Sequence, residues 1–73
     1  MKIEIGKHGK IISGVEAGRY LKIVDDKESS GGYLIITAAT SDLQKDGSDT
    51  WVENEAQLEK YFEESKWNVD WSV

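Results

Sequence analysis

The segment Tyr33 to Thr40 carries no charge, is rich in β-branched residues and is apolar in both of its alternating sets. A strand with one wet face alternates apolar and polar residues, whereas one apolar on both sides is buried on both. The chain must therefore build a sheet with this segment inside it. Left exposed, Tyr33–Ala39 would also be the stretch most prone to aggregate.

Little material is available for the task. The chain has 73 residues, no cysteine, no proline and one histidine. That length makes a single domain, 1–73. Small domains bury a modest share of their surface, which leaves no spare core for a deep cofactor pocket. Without cysteine there is no disulfide, thiolate metal site or nucleophilic thiol. One histidine excludes a multi-histidine zinc centre within the chain. No cofactor is expected.

Glycines fall at the punctuation points. Ile3–Ile5 alternates with charge and predicts a strand, Gly6–Gly9 its turn, and Lys10–Ser13 the return strand of a hairpin. Arg19–Asp25 alternates again, with Leu21 and Ile23 on one face and Tyr20, Lys22 and Val24 on the other. Asp26–Gly32 reads as a polar turn, Ser41–Ser48 as a loop and Asp49–Glu53 as a short strand. Asn54 is a good N-cap with Gln57 three residues on, predicting a helix over Glu55–Ser65. Leu58, Tyr61, Phe62 and Ser65 fall within about 100° on its wheel, one narrow apolar stripe. Trp67 would point the other way, so the helix stops before it. Trp67, Val69, Trp71 and Val73 then alternate with polar residues as a half-buried final strand.

The expected fold is α+β: a mostly antiparallel sheet of about five or six short strands, one helix from the C-terminal half packed on one face, then a final strand. One helix covers one side of a sheet. The other side is left to solvent, a second copy or a partner.

Net charge is −5. That disfavours nucleic acid, whose affinity comes from neutralising phosphates, and anionic membranes. The longest uncharged apolar run, Leu34–Ala39, is too short to span a bilayer, and the start has no apolar signal-peptide core, so a cytoplasmic location is expected. The charge is uneven. Residues 1–24 carry five cations (Lys2, Lys7, Lys10, Arg19, Lys22) against Glu4 and Glu16, a net of +3. Residues 25–73 carry twelve acids against four lysines, a net of −8. Pairing of the two halves in the fold would answer the basic half and leave an acidic surplus.

No reaction is announced. His8 sits in a predicted turn, and nothing in the spacing brings a serine and an acid to it. Gly6-Lys7-His8-Gly9-Lys10 lacks the phosphate-loop spacing and precedes a strand, so it reads as a hairpin turn. Fourteen acids make any chosen carboxylate pair uninformative. Asp42–Glu53 matches a twelve-residue calcium loop in part: Asp42, Asp46, Gly47 and Glu53 stand at positions 1, 5, 6 and 12. Gln44 at position 3, Asp49 at position 8 and a preceding strand count against it.

The row Glu55, Glu59, Glu63 stands out. Like charges at i, i+4, i+8 repel along one line, by about 0.2–0.5 kcal/mol per pair. Glu63 and Glu64 also approach the helix C-terminus, where the dipole disfavours anions. With Asp42, Asp46, Asp49 and Glu53, the stretch Asp42–Glu64 holds eight acids and two lysines. Two readings stand: a solvated face that aids solubility, or a surface steering a basic protein partner. Trp51 beside these acids is a candidate anchor, since tryptophan is enriched at binding hot spots.

The segments Gly18–Asp26, Trp51–Asn54, Leu58–Phe62 and Trp67–Trp71 resemble short bacterial proteins of no assigned role. Some of those resemble the small acidic immunity proteins encoded beside secreted toxins. The resemblance rests on a pattern of aromatics and acids over about half the chain and transfers no site residues. It implies a cytoplasmic, inhibitor-like role. The leading expectation is a non-enzymatic acidic domain masking a basic protein surface through Asp42, Asp46, Asp49, Trp51, Glu53, Glu55, Glu59 and Glu63. The alternatives are a homodimer paired through the uncovered sheet face and a Ca²⁺ loop at 42–53.

Overall fold

A computed structural model describes residues 3–72. Lys2, counted among the cations, and Val73, at the end of the expected last strand, lie outside the described residues. The elements run β1 (His8–Ser13), β2 (Tyr20–Asp26), α1 (Lys27–Ser30), β3 (Gly32–Ala38), β4 (Ser48–Val52), α2 (Glu55–Ser65) and β5 (Asn68–Asp70). The five strands form one antiparallel sheet in the order β4-β3-β2-β1-β5. The α+β class expected from the sequence is the observed one.

β3 is hydrogen-bonded on both sides, to β2 and to β4, as its two apolar faces require. Its alternation with β2 sets the register: Leu21 pairs with Thr37, Ile23 with Ile35 and Asp25 with Tyr33. Those pairs put Leu21, Ile23, Tyr33 and Ile35 on one face, joined by Ile11 and Val52. Helix α2 delivers Leu58 and Phe62 onto that face, and Trp67 follows. Asn54 caps the helix as predicted, its side chain accepting from the Gln57 N–H at 2.9 Å. The helix ends where Lys66 turns left-handed, φ 56°, and donates back to Phe62 and Glu63 carbonyls.

Four expectations are corrected. Ile3–Ile5 is not a strand. Gly6 takes φ +87° and its N–H bonds to the Ile23 carbonyl at 2.7 Å, so the chain before it leaves the sheet. Ile3 packs instead against the edge of the core. His8 consequently opens β1, opposite Lys22, rather than sitting in a turn. The polar turn Asp26–Gly32 contains a single helical turn, α1, closed by Gly31 at φ +83°. The final strand is shorter than its alternation suggests, three residues, although Trp67 and Val69 do face the core and Trp71 packs against it.

The loop after β1 is locked to the far end of α2. The Val15 N–H donates to the Ser65 carbonyl at 2.9 Å, and the Trp67 indole N–H donates to the Val15 carbonyl. Trp67 is 2% exposed and meets Phe62 edge-on, ring centres 5.0 Å apart at 83°. Gly14 permits this approach. Its φ is +103°, and a β-carbon there would stand 2.3 Å from the Lys66 carbonyl oxygen.

Gly14→Ala should therefore cost at least about 2 kcal/mol of unfolding free energy, measured by urea denaturation, because space and backbone conformation are both lost. Ala at Gly18, also at positive φ but in open space, should cost less.

Candidate functional site

Alternation decides where the candidate residues go. Val52 is buried in the core, so Trp51 beside it points to the opposite, helix-free face. Asp49 shares that face, since Leu34 pairs with Trp51 and Ile36 with Asp49. Glu55, Glu59 and Glu63 lie along a flank of α2, on the other side of the sheet. Asp42 and Asp46 lie in the β3–β4 loop and Glu53 in the β4–α2 link. All eight residues are exposed. The structure thus keeps the acids at the surface but does not gather them, with Trp51, on one face.

Trp51 is 48% exposed and is held in place. Its indole N–H donates to Ser30 Oγ at 3.0 Å, and the ring lies against Gly32, where a β-carbon would meet it at 2.8 Å.

Among the described residues the two halves of the chain do not neutralise each other through ion pairs. Among the described residues the ion pairs are Lys7–Glu4 and Arg19–Glu16, each 3.1 Å, both local and both inside the basic half. Arg19 also donates to the Asp46 backbone carbonyl, which ties two loops but pairs no charge. Within the ridge, Glu55 has a partner: Tyr33 Oη donates to it at 3.2 Å. Lys27 sits over the Tyr33 ring at 5.1 Å, and that tyrosine, with Asp25 and Glu55 nearby, holds the Lys27 ammonium above its ordinary pKa. Glu59 and Glu63 make no ion pair or side-chain hydrogen bond among the described residues.

A shallow cavity of about 80 Å³ opens beside this ridge, lined by Ile3, Ile5, Leu58, Glu55 and Glu59. Three aliphatic side chains beside two carboxylates suit a cation on an aliphatic stem, the shape of a lysine or arginine side chain. Sequence reasoning did not find it, because it exists only once the N-terminal segment leaves the sheet.

The calcium-loop reading of Asp42–Glu53 is corrected. Ser48–Val52 is extended strand, so the second half of the segment runs along the sheet at about 3.3 Å per residue instead of wrapping an ion. Among the described residues no three His, Asp or Glu side chains converge as a metal cage. Asp42 has a local task. It accepts from the Thr40 hydroxyl and from the Gln44 N–H, the latter at 3.0 Å. Those donors, Thr40 first, hold its carboxyl below the ordinary carboxylate pKa. No helix of the described residues is long and apolar enough to cross a membrane.

A lowered folded-state pKa stabilises the loop above the ordinary carboxylate pKa, and that contribution is lost as pH falls through the lowered one. NMR titration should accordingly place the Asp42 midpoint below that of a free aspartate, and Thr40→Val should raise it. No protein-family model, curated protein or solved structure matches the chain.

Proposed function

We propose that the chain is a non-enzymatic acidic binding domain that masks a basic protein surface, as an immunity or inhibitor protein does. A cytoplasmic, bacterial setting belongs to the same proposal. Occlusion needs no catalysis: negative charge is presented to the partner's cations, and the bulk of the domain covers what lies beneath.

The reading is supported by the unanswered carboxylates of Glu59 and Glu63 beside the apolar hollow of Ile3, Ile5 and Leu58. Like charges stacked one helical turn apart cost a small domain stability. Lys60 lies on the same helix, but among the described residues it makes no ion pair with Glu59 or Glu63; Lys7 is on Glu4 and Lys27 is over Tyr33. A basic side chain from a partner would lay its stem in the hollow and bring its charge to Glu59. Asp42, Asp46 and Glu53 then contribute to the long-range field rather than to the contact, and Trp51 stands outside it.

Glu59→Lys with Glu63→Lys should leave the melting temperature unchanged or raise it, since repulsion along the helix is removed. The same double variant should bind an arginine-rich peptide at least about tenfold more weakly at low ionic strength, followed by calorimetry. Equal affinity in wild type and variant would sink the proposal.

A further inference from the structure

The strand registers place three transverse rows of side chains on the helix-free face. The middle row reads His8, Lys22, Ile36, Asp49 across β1, β2, β3 and β4. One neighbouring row reads Val24, Leu34, Trp51, and the other Asp70, Lys10, Tyr20, Ala38. Val24, Leu34, Ile36 and Tyr20 are half-buried and Trp51 is half-exposed, so the face is apolar through its centre. Its charge is ordered. Cations stand toward β1 and β2, with Lys10 reaching over the Tyr20 ring at 5.6 Å, and Asp49 stands at the β4 edge.

We propose that this face binds a second copy of the chain. Consider a two-fold axis parallel to the strands and midway between β2 and β3. It lays β1 over β4 of the second copy and β2 over β3, and each row meets its own reverse. His8 then faces Asp49, with Lys22 diagonal to it. Val24 faces Leu34, and Tyr20 stands at the margin, where Ala38 is already buried within its own chain. Trp51 falls over the turn at Gly6, which has no side chain. Aligned sheets pack about 10 Å apart and rotated by about 30°, which keeps the middle row in contact. A two-fold interface requires a surface complementary to itself, and a row with His8 and Lys22 at one end, Asp49 at the other and Ile36 between meets that requirement.

The size suits a weak dimer. The four overlapping strands at about 4.8 Å, with up to seven residues at about 3.3 Å, give a projected footprint of roughly 450 Å² before side-chain relief. That is below the about 600 Å² per partner at which stable interfaces begin, so association belongs in the micromolar range. Glu59 and Glu63 stay outside the contact, so the proposal is independent of the acidic-ridge reading.

Sedimentation equilibrium of the full chain across the micromolar range tests it. The expected result is a two-chain mass, lost in Ile36→Asp. Two charge-reversal variants on the same face keep the test valid if Ile36→Asp disturbs folding. Lys22→Asp alone and Asp49→Lys alone should each weaken association roughly tenfold, and the two together on one chain should restore it. Glu59→Lys with Glu63→Lys should leave the mass distribution unchanged. A single-chain mass throughout, a dimer indifferent to Lys22 and Asp49, or no rescue in the double variant overturns the proposal.

Discussion

The fold turns on the bond from the Trp67 indole N–H to the Val15 carbonyl. It joins a loop after the first strand to the chain just past the second helix, 52 residues away. Around it, Val15 satisfies a carbonyl at the helix end, and the Trp67 ring closes the core against Tyr61 and Phe62. Helix ends leave orphan carbonyls, and a buried indole leaves an orphan donor. Here each answers part of the other's need. With no cysteine to form a disulfide, a polar contact inside an aromatic cluster fixes where the helix lies on the sheet. Everything on the surface follows from that placement: the ridge on the helix flank, the hollow under Ile3 and the open sheet face behind.

The domain is electrically two-sided. Its ion pairs are short-range, three residues apart, and leave the larger asymmetry intact. Acids line the helix side and the loops before it, while Lys10 and Lys22 stand on the opposite face among apolar residues. The two surfaces are suited to different contacts. Exposed like charge acts over distance and depends on salt, whereas half-buried apolar rows with ordered charges act only on close approach.

Local features were legible in the sequence and distant ones were not. The helix over Glu55–Ser65 was readable because its cap, stripe and stop all lie within thirteen residues. β2 and β3 were readable because alternation reports burial directly. Ile3–Ile5 alternates just as well, yet Gly6 turns the chain out of the sheet, and one residue's dihedral overrides three residues' pattern. Lys27–Ser30 is too short and too polar to carry a helical stripe. Trp51 adjoins the acids in sequence but stands on the face opposite the ridge: adjacent strand residues point to opposite faces, and Val52 is the one in the core. The Gly14–Lys66 approach had no signal at all beyond a glycine, since its other half lies some fifty residues on.

β5 has a mechanical meaning. It is three residues long and pairs antiparallel with β1, Lys10 opposite Asp70, so residues 3 and 72 leave the sheet from the same end. Tension applied there loads the rungs of the ladder singly rather than together. The sheet would open like a zip from this seam, at low force, while the β2–β3 pair, with seven registered positions, holds until last. Threading the domain through a narrow pore from either end would begin at this seam.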